Sequence, residues 1–504
     1  MAIEPIYEKI NLNERRKFYS EPIKCAVKTA LSTDDVKEVL CVTATPAVYG
    51  NETTNGTVTF NGKAVFFVCY LDREGEIRKV EIGADFVGAV KDENIKQGFK
   101  AIITPEVSKT EYDLSGVALG VSATITACVE TVDSIELSAL VGGEGLVVDQ
   151  MEIQVLKSLG VKESAYPIEE EFELAFEVKE VLNHRASACI TAVQCGVGAI
   201  IVDGKVFLSV IALQNDEKCS IIKETRVVPF RMELECEDAM PTMRATAKVY
   251  EKALKTQVEV DEDTGRSNVS ISLNLYFSGE AFITQTVSVC KDVFSTKEEL
   301  SVNKAQGQFM CPFEPIYTSK KINGRAVTEE LPIGARLFAV GSEKAEVLSV
   351  KGVEQGLLVT GVVSAVGYFA DGESKAFTRK IETPFESTLD MGDAIDGKEY
   401  EIIVKAEFGT ARLINATEVE LDVELNATVY SVEKATITCI SETASLGEKQ
   451  ENPHAISVYI PMENEELWSL SKRLNVCPET LVATNPELTF PLTGNERIVI
   501  YRQR

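Results

Sequence analysis

Apolar and polar residues alternate along most of this chain. In "EEFELAFEVKEVL", residues 170–182, the alternation is almost unbroken. A period of two sends successive side chains to opposite faces of a strand, so this segment reads as a strand with one buried face. Runs such as "DLSGVALGVSATITACV", "SNVSISLNLYFSGEAFI" and "TEVELDVELNATVYSV" repeat the texture and are rich in Val, Ile, Thr and Tyr. Helical spacing is scarce until the last fifty residues.

The strand pattern recurs at long range. "VKEVL" occurs at 36–40 and at 178–182, and Gly62 in "FNGKAVFFV" and Gly204 in "VDGKVFLSV" are the same distance apart (178 − 36 = 204 − 62 = 142). A third, looser copy is "VTGVVSAVGYF", with Gly361 at the equivalent place. After each glycine come an apolar run, a polar turn and a second run that ends near a phenylalanine. The glycine-to-phenylalanine spacings are 24 (62 to 86), 26 (204 to 230) and 24 (361 to 385). Internal duplication is the simplest account. The expectation is a mainly β protein, with three β-sandwich or barrel-like modules at 1–150, 151–295 and 331–446 and a linker at 296–330. A small C-terminal domain follows at 452–504.

The C-terminal segment changes period. "ISVYI" is a short strand. Asn464 is placed to cap a helix that carries Glu465 and Glu466 in its first turn. Leu467, Leu470 and Leu474 fall on one face of that helix, Pro478 suits the start of a second helix, and "RIVIY" closes the unit as a strand. Trp468, the only tryptophan, is expected in the core of this small unit.

Charge narrows the function. Lys plus Arg is 51 against 78 Asp plus Glu, a net charge of −27, which repels phosphate backbones and anionic membrane surfaces. From Ala455 onward the count is five basic against six acidic residues, so the modules carry nearly all of the excess. No apolar run is long enough for a membrane span, and the N-terminus lacks the pattern of a secretory signal. A cytoplasmic protein is expected. Its twelve cysteines, with no C-x-x-C, read as buried thiols.

Catalytic signals are sparse. The two histidines, His184 and His454, fall in different expected domains, and His184 reads as a turn or edge residue. "GGEG" at 142–145 lacks the Lys-Ser/Thr of a phosphate loop, and "DEDTGRSN" at 261–268 reads as a hairpin turn rather than a calcium loop. No enzyme, metal or cofactor motif emerges.

The C-terminal unit resembles the LysM family in "LWSLSKRLNV" (467–476), Leu481, "NPEL" (485–488) and "RIVIY" (497–501). The resemblance implies a strand–helix–helix–strand fold that binds N-acetylglucosamine glycans such as peptidoglycan between two loops. Here the groove residues would be Met462, Glu463, Asn464, Glu465 and Glu466 on one side, and Thr484, Asn485, Pro486, Glu487 and Leu488 on the other. Where the family commonly has Gly-Asp-Thr, this chain has Asn464, Glu465 and Glu466. Larger side chains and carboxylates at that rim disfavour a close sugar and turn the groove toward protein.

Three glycine–phenylalanine hairpin modules followed by one LysM unit resemble the SipL-like spore-morphogenesis proteins, which carry SPOCS modules. That resemblance implies a non-enzymatic scaffold of the mother-cell cytoplasm at the forespore surface. It would link the ATPase of the coat's basement layer to other coat proteins. The alternative is a peptidoglycan-binding cell-wall or surface protein.

Overall fold

The computed structural model describes residues 3–501 apart from 217–219, 313–314, 355, 373–374, 391–398 and 451–453. Nearly all of it is strand, and all the pairings are antiparallel.

A first lobe contains β1 (Glu4–Tyr19), β2 (Ile23–Ser32), β3 (Val36–Thr54), β4 (Thr57–Asp72), β5 (Ile77–Lys91), β6 (Lys100–Asp113) and β7 (Ala118–Glu144). Strands β1 and β2 pair end to end along one edge of β7, with β6 along the other, while β3-β4-β5 form a second sheet. The second lobe contains β8 (Val147–Leu174), β9 (Val178–Cys195), β10 (Ala199–Gln214), β11 (Ile221–Glu235), β12 (Arg244–Asp261) and β13 (Arg266–Phe294). Its sheets are β8-β13-β12 and β9-β10-β11. The third contains β14 (Glu298–Pro312), β15 (Ile316–Val327), β16 (Arg336–Val353), β17 (Gly356–Ala370), β18 (Ala376–Asp390), β19 (Glu399–Asn415) and β20 (Glu418–Glu448). Strands β14 and β15 share one edge of β20, with β19 on the other, and β16-β17-β18 form the second sheet. In each lobe the two sheets face each other across one apolar core.

The spacing of glycine to phenylalanine has a geometric cause. Gly62, Gly204 and Gly361 lie directly across from Phe86, Phe230 and Phe385 on the neighbouring strand. Each ring lies over its glycine, so a Cβ there would sit 2.5, 2.3 or 2.6 Å from the ring. On the other side of each glycine a bulge in the first strand of the sheet leaves Tyr49, Thr191 or Leu348 unpaired. The bulge brings a carbonyl (Ala47, Cys189 or Glu346) to 2.2–2.5 Å from the same Cβ position. The residue must therefore lack a side chain, and the aromatic ring covers the backbone left bare.

The segment 296–330, expected as a linker, is part of the third lobe. It carries β14 and β15, which run antiparallel to β20 from Glu298↔Glu448 to Val327↔Glu418. Its partners lie more than ninety residues away, and nothing local in the sequence signals them.

The lobes close on one another rather than standing apart. Leu137, Val287 and Ile437 lie 150 residues apart (137 + 150 = 287; 287 + 150 = 437), as do Ala139, Val289 and Cys439, and all six meet in one cluster. Leu140, Cys290 and Ile440, with the same spacing, meet in a second. The far ends of β7, β13 and β20, with β1, β8 and β14, thus form three ribbons around a shared apolar axis. A further cluster joins the β3-β4-β5, β9-β10-β11 and β16-β17-β18 sheets through Cys69, Ile211 and Tyr368, each seven residues after its lobe's glycine.

The C-terminal unit contains β21 (Ile456–Tyr459), α1 (Leu467–Leu474), α2 (Pro478–Thr484) and β22 (Ile498–Tyr501), with β21 paired to β22. Leu470, Leu474, Leu481, Leu492, Ile498 and Ile500 form its core. Cys219 lies outside the described residues; the other cysteines are buried or half-buried.

Candidate functional site

Helix α1 begins differently from the expectation. Glu466, not Asn464, occupies the cap position and makes no side-chain capping bond; Asn464 sits in the left-handed region at φ 62°. Its backbone N–H donates to Leu492 O at 2.8 Å, and Leu492 N–H donates back to Glu465 O at 3.0 Å. This bridge ties the first loop to the chain just before β22. Pro478 does stand at the start of α2.

Two of the expected groove residues are inside. Glu465 is buried and receives a two-pronged bond from Arg473 at 2.8 and 2.9 Å, plus the Met462 N–H at 2.9 Å. These bonds, led by that from Arg473, hold its carboxyl below the usual range. It fastens α1 to the loop and does not line an acidic rim. Asn485, 1% exposed, donates to Leu481 O and Val499 O and accepts from Val499 N–H, all between 2.7 and 2.9 Å. Leu488 packs on the core, and Thr484 is half-buried, its hydroxyl bonded to Thr480 O. Met462, Glu463, Asn464, Glu466, Pro486 and Glu487 remain exposed.

Trp468 is not part of the small unit's core. Its ring meets Phe294 at the end of β13 edge-on, centroids 5.3 Å apart, and its indole N–H donates to Asp292 at 2.9 Å. Lys472, one turn on, reaches both oxygens of Asp292 at 2.7 Å. Burial alone would raise the Asp292 pKa, but the Lys472 and Trp468 bonds outweigh it and lower it. Asn475 donates to Thr296 O, and Lys449 links Ser295 O to Asn475. One face of α1 is thus clamped to the body.

The face of the unit formed by β21 is exposed. Ile456 and Val458 project from β21 with exposures of 60% each, followed by Ile460 at 71% and beside Tyr501 at 58%. A solvent-facing strand surface is normally polar, and an exposed apolar patch of this kind marks a contact surface.

The body holds a second feature that the sequence did not reveal. Where β1 gives way to β2, β8 bulges at Gly160 and β14 gives way to β15, the lobes part around a cavity of about 720 Å³. Charges from all three lobes alternate along its wall. Glu280 pairs with Arg15, Arg15 with Glu130 at 3.0 Å, Glu130 with Lys248 at 3.0 Å, Lys248 with Glu401 at 3.3 Å, and Glu401 with Lys17. Burial would raise the Glu130 pKa, but Lys248, Arg15 and Lys17 hold it at about 2. The partners lie 115 to 384 residues apart in the chain, so no local motif marks the set. A second set locks lobes two and three: Arg185 to buried Glu407, Lys223 to buried Glu343 at 2.6 Å, and Lys405 to Glu251 at 3.0 Å. Because every carboxylate in these sets already faces a cation, they act as ties between lobes and leave no free acid–base pair.

His184 lies on β9, an edge strand of its sheet, and not in a turn. It sits within β9 between two lobes, its ring 4.9 Å from Phe67 and its Nδ1 2.6 Å from the Thr256 hydroxyl. Burial, with Lys79 nearby, pushes its pKa down to about 4. "DEDTGRSN" is a β12–β13 hairpin turn in which Asp261 accepts from Asp263 and Thr264. Among the described residues no cluster could hold a metal ion, and no helix is long and apolar enough to cross a membrane.

No family model, curated protein or solved structure matches this chain.

Proposed function

We propose that the chain is a non-enzymatic scaffold of bacterial spore-coat assembly. In this reading the body is built of three SPOCS-type modules and the C-terminal unit is of LysM type. That unit binds a protein, the ATPase of the coat's basement layer, in the mother-cell cytoplasm, while the body contacts further coat proteins. The observation that carries the reading is the apolar outer face of the β21–β22 sheet, which stays exposed while Trp468 bonds Asp292 of the body. An uncharged, solvated strand surface suits burial against another protein. The recurrence of one strand order in all three lobes supports a repeated module.

Glycan binding is less well supported. The bridge to Leu492 occupies the Asn464 N–H and the Glu465 carbonyl of the first loop, and Asn485 is spent on β22. The test is to pass the full chain over immobilised basement-layer ATPase and over insoluble peptidoglycan. Retention on the ATPase alone is expected. Retention on peptidoglycan that N-acetylglucosamine oligomers release would overturn the proposal.

A further inference from the structure

The two edges of the β21–β22 sheet are treated differently. Along β22, the Asn485 side chain bonds both the N–H and the C=O of Val499, at 2.7 and 2.8 Å. That side chain closes the edge to any further strand. It also fixes the phase of the ladder. In an antiparallel pair, opposed residues alternate between those that bond each other and those whose backbone groups point away. Val499 turns its groups outward to Asn485, so Val458, directly opposite, turns its N–H and C=O outward as well. Ile456, opposite Tyr501, shares that phase. No described strand pairs with β21 along this edge.

We propose that the partner binds by strand addition, pairing an extended segment with the free edge of β21 through the backbone of Ile456 and Val458. The proposal rests on the protein-binding role given above and specifies its mode. An added strand satisfies the outward donors and acceptors, and its alternate side chains extend the apolar face formed by Ile456, Val458, Ile460, Val499 and Tyr501. Charge restricts the segment further. In the loop after β21 the exposed charges are Glu463 and Glu466, since Glu465 is held by Arg473. The fitting segment therefore alternates apolar residues over four to six positions, a strand's usual length. It carries Lys or Arg at the end that meets Glu463 and Glu466.

The test follows amide hydrogen exchange in the full chain, free and saturated with the purified basement-layer ATPase. The Val458 amide, which no described strand pairs in the free protein, should exchange at least tenfold more slowly in the complex. A complex that shields the Val458 side chain but leaves its amide rate unchanged would overturn strand addition and leave protein binding intact. Failure of the ATPase to bind at all would overturn both. As a second measurement, Val458→Pro removes the outward donor while sparing the bonds to β22, and should weaken binding at least tenfold. Circular dichroism and Trp468 emission report whether that variant folds; if it does not, the wild-type exchange result decides.

Discussion

Replacing Gly204 by alanine is the sharpest perturbation of the lobe architecture. The new Cβ would lie 2.3 Å from the Phe230 ring and 2.5 Å from the Cys189 carbonyl oxygen. Comfortable contacts between carbons are about 3.5–4.0 Å, so the ring would have to retreat by more than about 1 Å. It has nowhere to go: Phe230 is 5% exposed and packs edge-on against Phe277, centroids 5.3 Å apart. The carbonyl belongs to the β9–β10 ladder and moves only if that pairing loosens. Overpacking of this kind costs about 3 kcal/mol, the upper end of its usual range. Under native conditions that corresponds to roughly 150-fold faster amide exchange in β9, β10 and β11 when opening limits exchange. The equivalent strands β3, β4 and β5 of the first lobe serve as an internal control. Adding Phe230→Leu should cost less than the sum of the two changes, because the ring contact is then already lost. An acceleration below threefold in β9–β11 would refute the argument that the ring and the bulged carbonyl exclude a side chain.

Other outcomes follow from the same geometry. Leu470→Asp puts a carboxylate at a fully buried point of the C-terminal core and should unfold that unit at a cost of several kcal/mol, seen as loss of Trp468 fluorescence anisotropy and of partner binding. Asp292→Ala removes the acceptor for Trp468 and Lys472; the emission of this single tryptophan should shift to the red and become more readily quenched by acrylamide, with the three lobes unchanged. His184 has a folded pKa of about 4 against about 6.5 unfolded, so its neutral form stabilises the fold fully above pH 6.5. That contribution is lost as the pH falls through 4. His184→Gln should flatten the pH dependence of chemical unfolding between pH 6.5 and 5, and an unchanged slope would contradict the buried, neutral assignment.

Much of the local structure was legible because it depends on local chemistry. The period of two located the strands, and the 24, 26 and 24 spacings turned out to be cross-strand Gly–Phe pairs. The shift to helical spacing at Leu467 marked the C-terminal unit. What was illegible depends on distant partners. β14 reads as a polar spacer because its pairing partner on β20 begins 150 residues later, at Glu448. The ribbons that close the lobes look like ordinary strand ends until Leu137, Val287 and Ile437 are seen to meet. Trp468 was assigned inward because the small unit needs large apolar residues. The face it occupies is decided instead by Phe294 and Asp292, which belong to another lobe. Asn464 misled for a subtler reason: its neighbour Glu465 has a stronger demand, the buried pair with Arg473, and satisfying it moves the helix start to Leu467.

The most direct test of the whole reading is the dissociation constant of the full chain for the basement-layer ATPase, measured by calorimetry for wild type and Val458→Lys. An exposed position tolerates lysine structurally, so folding should be unaffected, while a charge at the centre of the apolar face should weaken binding at least thirtyfold, the scale of an interface hot spot of about 2 kcal/mol. Equal affinity for the two proteins would contradict the assignment of this sheet as the surface that holds the partner.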